Sequence, residues 1–193
     1  MAHRPNTVRI IGGEHRGRLL RFATGPGLRP TPDRVRETVF NWLGQDLTGL
    51  RCLDLFAGSG ALGFEALSRN AAEVVFVDSS REVITHLRAF AEAIGTSRAT
   101  IRQGDALEFL RLAARSAAAP GGRFDVVFLD PPFGQEWIAR VEPLLEPVLA
   151  PGGRVHVETG EPWTPAHGLR VMKSGRAGVV HHALAMKSDE ERS

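Results

Sequence analysis

Four acidic residues each close a short apolar run: Asp54, Asp78, Asp105 and Asp130. The first lies just before a glycine turn, Gly58-x-Gly60-x-x-Gly63, and Asp78 follows Gly58 by 20 residues. Glycine lets backbone N–H groups approach a ligand closely, and a carboxylate at that distance can accept hydrogen bonds from both hydroxyls of a ribose. The bland alternative is a strand-to-helix turn that needs glycine only for a positive φ. The matching acid makes a nucleoside-type ligand the better reading. A dinucleotide would place its pyrophosphate at the helix N-terminus. The carboxylate of Asp54 would repel phosphates there and attract a cationic amino group. A chain of 193 residues also leaves no room for a separate substrate domain. S-adenosylmethionine is therefore preferred over NAD. Phe56, Gly58, Gly60 and Asp78 join Asp54 as candidate cofactor residues. Asp105 can accept from an adenine amino group, with the backbone N–H of Ala106 beside it, and can equally cap the following helix.

The segment Asp130-Pro131-Pro132-Phe133 carries a second chemistry. Two prolines cannot continue a strand ladder, so the chain must turn into a stiff loop. Asp130 and the carbonyl of Pro131 then become fixed acceptors, and Phe133 offers an aromatic face. Two acceptors and a ring suit a planar group bearing an NH₂. Hydrogen bonds to both N–H groups would favour pyramidalisation and aim the lone pair at a methyl donor. Stacking on Phe133 would contribute about 1–3 kcal/mol. The competing reading is a structural turn with a capping Asp and a core Phe.

The elements that must hold these groups alternate. LRCLDLF (50–56), EVVFVD (73–78), ATIRQGD (99–105), FDVVFLD (124–130) and GGRVHVE (152–158) read as strands. Helices are expected over 61–69, from a Ser79/Glu82 capping box to about Gly95 and over 106–116, with a helical stretch across 135–149 interrupted by Pro143 and Pro147. GLRVMKS and GVVHHALAM read as two late strands with no helix between them. Such alternation predicts a parallel sheet covered on both faces, with ligands at the carboxyl ends of strands. Ahead of it, TVRIIGGEHRGRLLRF (7–22) reads as a β-hairpin and 24–30 as a loop. Thr31-Pro32 looks like a helix cap with proline at the first helical position, and the helix closes at Gly44.

The chain carries 24 Lys+Arg and 22 Asp+Glu, but residues 1–36 hold eight arginines against two acids. That asymmetry points to a polyanion docking at one end, with arginine's planar fork suited to phosphate oxygens. Solvated arginines with no partner are the alternative. Arg9, Arg16, Arg18 and Arg21 are the docking candidates, with Arg34 and Arg36 secondary. Composition is that of a globular protein. No apolar run is long enough for a membrane span and the N-terminus has no apolar h-region. The lone Cys52 carries no disulfide signal, so a cytoplasmic location is expected. Cys52 and Trp42 read as core, Trp137 and Trp163 stay ambiguous, and His181-His182 would point to opposite faces of a strand. With no HExxH or CxxC, no metal site is expected.

LDLFAGSGALGFEALSR, the strand-end acids and DPPF resemble the class I S-adenosylmethionine-dependent amino-methyltransferases. RIIGGEHRGRLL followed by LRPTPDRVRETVFNWL is similar to the bacterial RsmD family, the likeness running from about residue 8 to residue 158. The resemblance implies a Rossmann-like seven-stranded, mostly parallel sheet with helices on both faces and a small N-terminal hairpin. It also implies methylation of the exocyclic N2 of one guanine in 16S rRNA, within the small ribosomal subunit or an assembly intermediate of it. Asp78 stands where relatives often have Glu. The expected organisation is a basic docking hairpin and loop over 1–31, a methyltransferase domain over 32–188, and a polar tail over 189–193, acting as a monomer without a membrane. Alternatives are an adenine-N6 methyltransferase on DNA or RNA, methylation of a protein amide, or a ribosome-assembly binder with a vestigial cofactor site. The Arg29-Pro30-Thr31 segment reads equally as a lid or as a helix-entry loop.

Overall fold

The structure, a computed structural model, describes residues 7–22, 31–132, 136–166 and 168–188. Strands β1 (Thr7–Arg9) and β2 (Leu19–Arg21) pair antiparallel as the expected hairpin. Then come α1 (Asp33–Leu43), β3 (Arg51–Asp54), α2 (Ala61–Ser68), β4 (Glu73–Asp78), α3 (Arg81–Ala93), β5 (Ala99–Gln103), α4 (Ala106–Ser116) and β6 (Phe124–Leu129). A short α5 (Trp137–Val141), two 3-10 turns, β7 (Leu149–Thr159), β8 (Leu169–Ala177) and β9 (Val180–Lys187) complete the described fold.

The seven strands after the hairpin form one sheet in the order β5-β4-β3-β6-β7-β9-β8. Pairing is parallel from β5 to β7 and antiparallel for β7 with β9 and β9 with β8. The chain runs outward from β3 through β4 to β5, then returns to place β6 on the other side of β3. The reversal opens a crevice at the carboxyl ends of β3 and β6, where α/β sheets bind ligands. Period-two alternation builds two cores. Cys52, Phe76 and Phe128 face α1, α2 and α3, while Leu53, Val75 and Val127 face α4 and α5. Among the described residues no helix is long and apolar enough to cross a membrane.

The helical stretch across 135–149 is interrupted at Pro143 and Pro147 as expected, into α5 and two 3-10 turns, because each proline removes a helical donor and sits at the start of a tight turn. Several other local expectations need correction. The cap of α3 is Ser80, whose hydroxyl accepts from Val83 N, and not Ser79. Thr31 does not cap α1; Pro32 holds that position and the threonine hydroxyl goes elsewhere.

Arg36 is not a docking residue. It is fully buried, donates to Arg9 O at 2.8 Å, and pairs with Asp33 and with Glu65. Glu65 in turn accepts from Ile11 N and Gly12 N, both at 2.8 Å, and pairs with Arg69. The hairpin is thus clamped onto α1 and α2 by a buried ionic network. Val8, Ile10 and Leu20 carry its apolar face into the same core as Val39, Phe40 and Leu67. Every residue of α2 is buried, since the helix lies between sheet and hairpin.

Candidate functional site

A cavity of about 640 Å³ opens at the crevice. It is lined by Asp54, Phe56, Gly58, Asp78, Asp105, Ala106, Asp130, Pro131 and Pro132, so both candidate constellations share one space. Their convergence follows from strand register. Asp54 of β3 pairs with Phe128 of β6, two residues before Asp130, and with Phe76 of β4, two residues before Asp78.

The glycine turn is held from its floor. Asp54, at the end of β3, accepts from Gly63 N at 3.0 Å. A Cβ on Gly63 would sit 2.2 Å from Phe76 Cε1 and 2.9 Å from Asp54 Oδ2, so this glycine sets the close packing of α2 on the sheet. Gly60 has φ 74° and does not line the cavity; a Cβ there would meet Leu87 and Phe64. Its place is in the turn itself. Gly58 N donates to Asp78 Oδ2 at 2.9 Å, and Ser80 N donates to Oδ1 of the same carboxylate. Each carboxylate oxygen carries a second lone pair, which leaves Asp78 capacity for ligand hydroxyls. Asp105 caps α4, accepting from Leu107 N and Glu108 N, and lines the cavity as well. The two readings of Asp105 are thus compatible.

Asp130 leaves β6 into the diproline turn. Pro131 is buried and Pro132 exposed at the mouth. Thr31 Oγ1 donates to Asp130 Oδ2 at 3.1 Å, across 99 residues of sequence. Phe133, Arg29 and Pro30 lie outside the described residues. Phe22, Trp137 and Val179 also line the cavity without having been assigned to the site from the sequence, and Thr31, read as a cap or lid, joins them. Trp137 packs edge-on against Phe56, with centroids 5.3 Å apart. The residue pattern held no signal for Phe22 or Val179, which reach the cavity only through tertiary packing.

The electrostatics favour a cation. Burial pushes Asp54 up to about 8, helped by the neighbouring carboxylates Asp78 and Glu158, while the Gly63 N–H works against the shift. Burial, then Glu158 and Asp54, also raise Asp130 well above the ordinary carboxylate range, with the Thr31 hydroxyl opposing. Carboxyl groups that resist ionisation together are relieved by a positive ligand and aggravated by phosphate. The donor set therefore fits S-adenosylmethionine, with its ammonium and sulfonium, and disfavours a dinucleotide.

Arg9, Arg16, Arg18 and Arg21 are all exposed on the hairpin, as is Arg34 on α1. Phe22, next after Arg21, reaches the cavity, so the basic hairpin adjoins the mouth. Cys52 is core, as expected, and burial pushes its thiol up to about 12. Trp42 stacks on His182 with centroids 4.9 Å apart.

Residues 8–186 match the family model described as conserved hypothetical protein 95. The chain belongs to that family. Its curated members make it the RsmD family. Ribosomal RNA small subunit methyltransferase D of Escherichia coli strain K12 is 42% identical over 192 residues, covering 96% of this chain and 93% of that protein. The protein of the same name from Haemophilus influenzae is 39% identical, covering 92% of each chain. A solved structure described as a putative methyltransferase yhhF from Escherichia coli superposes with a TM-score of 0.81 at 38% identity, covering 95% of this chain and 99% of that one. The RsmD-family fold is thus the Rossmann-like sheet with its N-terminal hairpin that the family resemblance implied.

Proposed function

We propose that this RsmD-family chain transfers a methyl group from S-adenosylmethionine to the exocyclic N2 of a guanine in 16S rRNA of the small ribosomal subunit. The observation that carries the proposal is the shared cavity: the Asp130-Pro131-Pro132 turn faces the same space as the glycine turn and the strand-end acids. The relatives named for small-subunit rRNA support the substrate class. Guanine N2 rests on the family resemblance, since two acceptors would serve an adenine N6 equally well.

Bound in the cavity, the cofactor supplies an electrophilic methyl group on a sulfonium. Asp54 holds its amino group, Asp78 its ribose hydroxyls, and Asp105 with the Ala106 N–H its adenine, while Phe56 and Trp137 wall the site. The target base must leave its stack to reach this depth. Asp130 and the Pro131 carbonyl then accept the two N–H groups of N2 and turn its lone pair outward. Thr31 fixes one oxygen of Asp130, and Pro132 keeps the turn stiff. Phe133 completes the design as a stacking face for the base. Positive charge that grows on nitrogen is met by the Asp130 carboxylate. No covalent intermediate is required; positioning dominates.

Arg9, Arg16, Arg18 and Arg21 bind rRNA phosphates and set the register of the particle. The hairpin and loop over 1–31 are the docking unit, and 32–188 the catalytic domain of a cytoplasmic monomer. Undermethylated small subunits incubated with labelled S-adenosylmethionine and digested to nucleosides test the reading. Label in N2-methylguanine is expected. Label in N6-methyladenine or in protein overturns it, as does no transfer at all.

A further inference from the structure

Beside Asp130, on the side of β6 away from β3, strand β7 buries two titratable residues that the scheme above leaves unused. His156 and Glu158 are 0% and 3% exposed. Leu129 of β6 pairs with Val157 of β7. One step further brings Asp130 level with Glu158, and the two-residue repeat puts both on the face that carries Phe128 and His156. Asp54 of β3 faces the same group, and its carboxyl and that of Asp130 both feel Glu158.

The hydrogen bonds of His156 constrain its protons. Nδ1 lies 3.2 Å from Ala183 O and Nε2 lies 3.3 Å from Glu158 Oε1. A carbonyl oxygen only accepts, so Nδ1 carries a hydrogen. Nε2 then meets a carboxyl oxygen, and that contact is attractive only with a further proton between them, on the ring or on the carboxyl. The pair therefore shares one proton at rest, with the tautomer locked by β9, and Glu158 keeps a second carboxyl oxygen that can take another. His182 of β9, which pairs with Glu158, Arg154 of β7, two residues before His156, and the Thr31 hydroxyl belong to the polar surroundings, Trp42 of α1 stacks on His182, and His181 lies on the opposite face. Burial and the adjacent His156 hold His182 below its ordinary value, which keeps that neighbour neutral.

We infer that the Glu158–His156 pair is the proton sink of the methyl transfer, reached through Asp130. The N2–H bond breaks as an O–H bond forms on Asp130, and the nitrogen keeps the electron pair and ends as a neutral secondary amine. Asp130 passes that proton to Glu158, and the pair holds it, with one net positive charge, until product leaves and solvent takes it. Glu158 and His156 act through Asp130 and do not touch the base.

The inference rests on the proposed methyl transfer, and the test separates the two. Glu158→Gln keeps the shape, and its amide can donate to Nε2, but it has no carboxylate oxygen to take up a proton. Single-turnover methylation of undermethylated small subunits is followed from about pH 6 to 9 at saturating cofactor, with cofactor affinity measured by calorimetry. The wild-type rate is expected to vary little with pH. Glu158→Gln is expected to lose about a hundredfold near pH 6.5 and to recover towards pH 9, where bulk base replaces the sink. Its cofactor affinity should stay within about threefold of wild type. His156→Gln should show the same pH-dependent loss, and Glu158→Asp should restore part of the flat profile. A Glu158→Gln rate that is lowered equally at every pH, or not lowered, overturns the sink. Absence of methylation by the wild-type protein instead overturns the proposed function. Should Glu158→Gln fail to fold, the His156→Gln profile decides by the same criterion.

Discussion

Replacing Asp54 by Asn should uncouple cofactor binding from pH. The buried carboxyl has its value raised from 3.8 to about 8, so near pH 6 it is about 99% neutral before ligand arrives. A ligand ammonium demands the carboxylate, so binding must expel that proton. The apparent Kd should then tighten about ninefold between pH 6 and 7, or about 1.3 kcal/mol. Above pH 7 the ligand's own α-amino group begins to titrate, so the acid side is the clean window. Calorimetry in buffers of different ionisation enthalpy should count close to one proton released per ligand near pH 6.5. Asp54→Asn should bind more weakly, release about none, and show no such slope. Folding stability offers a second reading of the same group. Its folded value lies above its unfolded one, so the neutral form stabilises the native state at acid pH, and that contribution is lost as pH rises through about 8. Between pH 6 and 8 the ligand-free protein should lose about 2 kcal/mol relative to Asp54→Asn. A Kd flat from pH 5.5 to 7 with no proton release would refute the placement of the ammonium on Asp54.

Other perturbations follow from the geometry. Gly63→Ala should cost about 1–3 kcal/mol in chemical denaturation and weaken cofactor binding, because the new methyl group collides with Phe76 and Asp54; wild-type stability would contradict the close packing. Thr31→Val should slow transfer about tenfold near pH 6 and less towards pH 9, since the hydroxyl holds the Asp130 carboxyl down; an unchanged rate and profile removes Thr31 from the site. Replacing Arg16 and Arg18 together by Ala should weaken binding to small subunits and reduce the log–log salt slope by about 1.4–1.8; an unaltered slope takes both off the docking surface.

The fold was legible because its signals are local. Alternating apolar residues with period two, glycine at strand-to-helix turns and acids at strand ends suffice to place Asp54, Asp78, Asp105 and Asp130 at one edge of a parallel sheet. What was illegible is long-range. Thr31-Pro32 carries the pattern of a helix cap, and nothing near it in sequence shows that its hydroxyl is bound by Asp130. Arg36 looks like the other arginines of the first 36 residues until Glu65, Asp33 and Arg9 O are seen around it. Glu65 itself stands in a segment that reads as an ordinary helix, and only the packed hairpin turns it into an anchor for Ile11 and Gly12. The break in 135–149, by contrast, is local and legible, because Pro143 and Pro147 cannot donate within a helix.

The central claim is that the Asp130 turn grips the acceptor nitrogen beside the methyl donor while taking no part in holding that donor. Asp130→Ala, measured in parallel for cofactor affinity by calorimetry and for methyl transfer to undermethylated small subunits, tests it most directly. The expected result is a Kd within about threefold of wild type and a transfer rate reduced by more than about a hundredfold. Transfer that survives the substitution, or a loss of cofactor affinity that accounts for the loss of rate, would contradict it.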